Sequence, residues 1–177
     1  MNKIFKYLSI VITTFGVGFI PLAPGTWGSA VGVLVYLIVR QFETVIIFKF
    51  VRQNLQADIF TAWLHAVNAI LLLIFCLLGI WAANRATLIF QTKDPQKVVV
   101  DEVIGQLITF LFVPFVISWH FILAGFILFR LFDIWKPYPI NFLEKLPAGI
   151  GICADDILAG IYGGVCLALI YAVGISL

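Results

Sequence analysis

The chain has 177 residues, of which 63% are hydrophobic and only 11% charged, with a formal net charge of +2 and a mean hydropathy of +1.11. Soluble domains carry about a quarter charged residues, so this chain has too little polar surface to cover a water-soluble globule, and its net charge is too small to suggest a polyanionic partner such as nucleic acid. What remains is an integral membrane protein, read as one membrane-embedded domain over residues 1–177.

Apolar segments follow one another along the chain. The first runs from Tyr7 to Ile20. Its fourteen residues cover about 21 Å of a ~30 Å hydrocarbon core, so it either spans obliquely or is re-entrant. Its basic start resembles a signal peptide, but no small-x-small cleavage site follows, and it reads as retained. "PLAPGTWGS" breaks it, because Pro21 and Pro24 stop a helix. The second segment runs from Thr26 to Val39, with an apolar continuation to Val51. After the polar "RQNLQAD", the third runs from Ile59 to Ala83 and carries His65 and Asn68. A polar loop, "NRATLIFQTKDPQKVVVDE", leads to a fourth segment ending near Ile117. The fifth runs from Trp119 to Trp135, and the sixth from Ile157 to Leu177. The linker between them, "KPYPINFLEKLPAGIGICADD", is proline-rich and reads as non-spanning. No ten-residue alternating pattern appears, and backbone polar groups in lipid must be satisfied internally. The fold class is therefore all-α, a polytopic bundle of five to six apolar segments.

Topology then gathers the charges. A tight turn near Ser118 makes segments four and five antiparallel. Asp101 and Glu102, at the start of one, thus share a membrane face with Asp133, at the end of the other. Because the linker does not cross, Asp155 and Asp156 share that face too. Counting backwards places Asn84, Arg85 and "PGTWGS" there as well. Five of the nine acids converge on one side, with Arg130, Lys136 and Arg85.

Each motif has a plain alternative. Asp101, Glu102, Asp155 and Asp156 precede helices, where one carboxylate would serve as a cap; a cap explains one acid of each pair and not the other. Oxygen-ligand cations such as Mg²⁺ use several carboxylates together with substrate phosphate. Arg130 and Asp133 stand three apart and would pair along a helix. With Lys136 they also form a carboxylate between two cations suited to a phosphate. Gly25, Thr26, Gly28 and Ser29 open a helix and offer N–H groups and hydroxyls to a phosphate, against the alternative of an ordinary cap with glycines for packing. His65 and Asn68 start from the opposite face and read as interhelical hydrogen bonders, and His120 reads as interfacial. Cys76, Cys153 and Cys166 form no metal-ligand spacing and read as reduced structural thiols. No cysteine-phosphatase loop and no DxD motif occurs, and both histidines lie off the acidic face. Metal-assisted attack of water on phosphorus remains.

The blocks "IPLAPGTWGS", "VVVDEVIGQLIT", "FRLFDIWKPYPI" and "GICADDILAG" resemble, in order, the signature blocks of the bacterial phosphatidylglycerophosphatase A family. The resemblance implies a Mg²⁺-dependent, multi-pass inner-membrane enzyme with a cytoplasmic-side site. It would act on the membrane phospholipid phosphatidylglycerophosphate and yield phosphatidylglycerol. It puts metal binding on Asp101, Glu102, Asp133, Asp155 and Asp156, and catalysis on Asp101, Asp133, Asp156 and Lys136. Substrate phosphate falls to Thr26, Ser29, Arg130 and Lys136. Residues 41–58 are longer and more apolar than the family pattern. Two rivals are a phospholipid-synthesis phosphotransferase, whose "DxxDGxxAR" is absent, and an ion- or proton-coupled transporter, which needs acids at mid-span or on both faces. Nothing in the sequence identifies a protein partner.

Overall fold

The computed structural model describes residues 3–52, 57–93, 95–114 and 117–174. Every regular element among them is helical: α1 (Lys3–Thr14), a 3-10 turn (Val17–Phe19), α2 (Pro24–Arg52), α3 (Ala57–Phe90), α4 (Val100–Phe110), α5 (Trp119–Trp135), α6 (Ile140–Leu143) and α7 (Ala148–Gly174). This is the expected all-α membrane bundle. Three helices, α2, α3 and α7, are long and apolar enough to cross a bilayer, fewer than the five to six segments read from sequence. The difference is length. α5 has 17 residues and α4 has 11, about 25 and 16 Å at 1.5 Å per residue.

α4 forms the centre. Nine of its eleven residues are buried, and α2, α3, α5 and α7 all pack on it. Two glycine crossings set its distances from α2 and α7. On α2, a Cβ at Gly28 would stand 2.9 Å from Val99 Cβ, and one at Gly32 would stand 2.8 Å from Gln106 Cβ. On α7, a Cβ at Gly160 would stand 3.0 Å from the carbonyl carbon of Gly105. Small residues allow this backbone approach, as in membrane helix pairs generally. The Thr109 hydroxyl reinforces it, donating to Gly105 O at 3.0 Å and Gly160 O at 3.2 Å. α2, α4 and α7 run parallel, while α3 and α5 run antiparallel to them.

α1 settles between its two alternatives as re-entrant. Phe5 packs edge-on against Trp81, and Arg85 lies over the Phe5 ring. Phe15 meets Phe75, ten residues back along α3, or about 15 Å. Phe15 and Gly16 then turn at positive φ (46° and 75°). The chain climbs back through the 3-10 turn to Pro24, beside the acids. Irregular backbone at this depth must find partners within the protein; Val99 N–H donates to Thr13 O at 2.8 Å.

Several boundaries move. α3 continues through Asn84 and Arg85 to Phe90, so these two residues are helical rather than in a loop. Arg85 stacks 4.6 Å from the Trp81 ring centroid and is not among the residues lining the acid cavity. α4 ends at Phe110 rather than Ile117; Phe115 and Val116 lie outside the described residues. α2 runs unbroken from Pro24 to Arg52, so the apolar excess over residues 41–52 is continuing helix; residues 53–56 lie outside the described residues. α7 starts at Ala148, nine residues before the expected start at Ile157. The glycines that suggested a linker serve contact: a Cβ at Gly149 would stand 3.0 Å from Asn84 Cα. α7 is described to Gly174, and residues 175–177 of the sixth segment lie outside the described residues.

Candidate active site

The α4–α7 crossing fixes the acids. One turn before Gly105 stands Asp101; one turn before Gly160 stands Asp156. The two helices are parallel and in contact at the glycines, so the two carboxylates face each other. Oxygens of Asp101, Glu102 and Asp156 lie within 4.8 Å of one another. Because α7 begins at Ala148, Asp155 and Asp156 lie about two turns inside it. Capping is thereby excluded for this pair.

All five acids named from sequence, together with Lys136, line one cavity of about 420 Å³. They divide by partner. The Asp133 carboxylate accepts from the Arg130 guanidinium. Lys136 Nζ donates to Asp155 Oδ2 at 2.8 Å and lies 3.5 Å from Glu144 Oε1. Among the described residues, no ion pair reaches Asp101, Glu102 or Asp156. Asp101 Oδ1 and Glu102 Oε2 are buried with no hydrogen-bond partner. Three ionised carboxylates this close would repel by roughly 3–4 kcal/mol per pair at an effective dielectric of about 20. Such a triad needs a cation or protons, and hard oxygen donors at this spacing suit Mg²⁺. The donor set therefore fits the ion.

Lys136 is the C-cap of α5 and takes a left-handed conformation, φ 45° and ψ 57°, where glycine is usual. Its ion pairs hold it there. Burial alone would lower its pKa, but the Asp155 hydrogen bond and the surrounding carboxylates raise it above the ordinary lysine value.

The remaining residues named from sequence do not line this cavity. Ser29 is buried and its hydroxyl donates to Gly25 O at 2.9 Å. Neither Thr26 nor Ser29 is among the cavity-lining residues, although Pro24 is. Arg130 reaches the site through Asp133 and lies near Gly25, whose Cβ would meet its Nη1 at 3.1 Å. His65, Asn68 and His120 do not line it. Sequence reasoning missed Glu144, Lys93 and Gln96, which do. The signal for Glu144 was available, since a linker that does not cross must return its charges to the same end.

The family model for phosphatidylglycerophosphatase A matches residues 10–171. The chain belongs to the phosphatidylglycerophosphatase A family. Among curated relatives, it is 38% identical over 156 residues to the phosphatidylglycerophosphatase A of Haemophilus influenzae, covering 88% of this chain and 83% of the relative. It is 28% identical over 161 residues to that of Escherichia coli, covering 90% and 79%. It is also 37% identical over 166 residues to a Bacteroides thetaiotaomicron protein named "Putative phosphatidylinositol-3-phosphatase", covering 93% and 94%. No solved structure matches the chain significantly.

Proposed function

We propose that this family member is a Mg²⁺-dependent phosphatase that removes the terminal phosphate of phosphatidylglycerophosphate and leaves phosphatidylglycerol. The observation that carries the reading is the triad Asp101, Glu102 and Asp156, which no ion pair reaches among the described residues, flanked in one cavity by a cationic Lys136. The family and the names of two relatives favour the glycerophosphate lipid; the third relative's name describes a different lipid phosphate monoester.

Asp101, Glu102 and Asp156 would hold the ion, which supplies Lewis-acid stabilisation of charge developing on the phosphoryl group. Lys136, positioned by Asp155 and Glu144, meets the phosphoryl oxygens. Asp133, oriented by Arg130, accepts the proton of the attacking water. The water oxygen bonds to phosphorus as the phosphorus–oxygen bond to glycerol breaks; the departing alkoxide takes a proton from solvent to become the product hydroxyl, and Asp133 releases its own to solvent. Arg130 contributes through Asp133. Thr26 and Ser29 support the phosphate indirectly, by shaping the start of α2.

The acid end is assigned to the cytoplasmic side of the inner membrane. With α1 re-entrant, residues 1–6 bring two Lys or Arg to that end, residues 85–97 three and residues 130–145 three, against a chain total of eleven. Such a bias favours the cytoplasm.

The test is phosphate release by purified protein from phosphatidylglycerophosphate and from phosphatidylinositol 3-phosphate, with Mg²⁺ and with chelator. Chelator-sensitive release from the first, in excess over the second, is expected. Release indifferent to chelation would remove the metal, and preference for the inositol lipid would reassign the substrate.

A further inference from the structure

A second cavity, of about 620 Å³, lies against the opposite side of α4, between α2 and α3. The proposed chemistry does not use it. Its inner end is Phe15, at the bottom of the re-entrant turn, with Val103 of α4. Its outer end carries Arg40, Glu43, His65 and Asn68. From Val103 to Phe110, both lining residues, α4 advances by about 10 Å. Glu43 lies eighteen residues along α2 from Gly25, or about 27 Å. The polar end therefore stands at the membrane interface opposite the acids.

This end is built. Glu43 is only 5% exposed. One of its oxygens accepts from Asn68 Nδ2, which ties α2 to α3. The other, Oε2, is buried with no partner among the described residues. A buried carboxylate oxygen left unpaired is costly, and a ligand donor would remove that cost. Arg40, one turn earlier on the same helix and lining the same cavity, offers a cation of the geometry that suits phosphate. Leu71, Val39 and Leu111 line the cavity and are exposed, so it opens sideways toward lipid.

We propose that this cavity is a second lipid site, which takes one acyl chain of a phospholipid from the leaflet opposite the acid cavity. The lipid's phosphate meets Arg40, and an N–H or O–H donor of its head group meets Glu43 Oε2. Two head groups carry that chemistry, the ammonium of ethanolamine and the hydroxyls of glycerol.

The test uses the full chain in phosphatidylcholine nanodiscs doped with a lipid bearing a diazirine on its acyl chain. The head group is ethanolamine, glycerol or choline, and labelled peptides are mapped after irradiation. None of these probes is a phosphatase substrate, so the outcome is independent of the assigned activity. Labels are expected on Leu72 and Leu107 from the ethanolamine or glycerol probe, about tenfold over choline. That ratio is the effect of one hydrogen bond to a charged group. Labelling by one of the two donor probes alone identifies the donor as ammonium or hydroxyl. Glu43→Leu should bring labelling down to the choline level, and Ala69→Trp, which fills the cavity, should abolish it. If Ala69→Trp does not fold, Leu72→Trp replaces it, and the comparison of probes on the unmodified protein decides in any case. Equal labelling by all three probes would overturn the proposal. So would labels confined to outward residues such as Leu34 and Leu73.

Discussion

The two cavities share one helix as a wall and are built by opposite rules. On the α7 side of α4, glycines bring backbones into contact, and the side chains one turn away are forced together; those side chains are acids. On the α3 side Gly79 meets only the side-chain tips of Ile104 and Val100, α2 and α3 stand apart around bulky apolar residues, and a void remains, with Glu43 tied to Asn68 at its end. Close packing concentrates charge here, and loose packing makes room for hydrocarbon. The contrast teaches that catalytic geometry in this bundle comes from the smallest residues, which carry no chemistry themselves.

The sharpest way to break the contrast is Gly160→Val. Its side chain would press on the Gly105 backbone, which cannot yield as a side-chain tip can, so α4 and α7 must part. Overpacking of this kind costs about 1–3 kcal/mol or more. Phosphate release should fall beyond detection and the thermal midpoint should drop, whereas Ala69→Trp in the other cavity should leave release intact. Next come the acids. Asp156→Asn and Asp133→Asn should each lower kcat by about 10²–10³ while the circular dichroism spectrum stays that of the folded protein. Only Asp156→Asn should also raise the Mg²⁺ concentration needed for half-maximal rate; a matching shift for Asp133→Asn would move it into the ion's ligand set.

A smaller effect is expected at Lys136. Lys136→Met should cost about a hundredfold in kcat, the loss of one preorganised charge donor, and Lys136→Arg should recover part of it. The direction of its pKa fixes the pH behaviour. A raised pKa keeps the ammonium charged past the ordinary lysine value of about 10.4. Its contribution to folding is then complete below that pH and declines only as pH climbs through the higher folded-state value. The rate profile from pH 7 to 10 should therefore show no descending limb from this group, and a limb that Lys136→Arg removes would contradict the assignment. The smallest effect is Ser29→Ala. Losing one hydrogen bond to Gly25 O costs about 1 kcal/mol of stability and less than tenfold in rate. A hundredfold loss would mean that the hydroxyl touches the phosphate after all.

Much of this was legible in the chain. Counting apolar segments and their turns was enough to bring Asp101, Glu102, Asp133, Asp155, Asp156 and Lys136 to one end, because the direction of a helix needs only parity. Boundaries were less legible. Gly149 looks like a linker residue from composition, since glycine serves a turn and a close helix contact equally well; its contact with α3 decided for the second. The division of labour among the five acids was hidden too. Whether Asp155 or Asp156 faces Lys136 depends on helix rotation, and that follows from Gly160 resting on Gly105. The apolar cavity left almost no trace in sequence. A void is a property of spacing between helices, and only Glu43 in an apolar stretch hinted at it.

One consequence of the α4–α7 contact concerns insertions and deletions. Asp101 and Gly105 are matched against Asp156 and Gly160 like the teeth of two racks. Removing one residue between Asp156 and Gly160 would turn the carboxylate by about 100° around α7 while every side chain of the triad is still present. Substitution can spoil this site only at a handful of positions, whereas a frame change of one residue anywhere between tooth and tooth disassembles it. The molecule should therefore tolerate length variation in the connection around α6, yet none over these two single turns of helix.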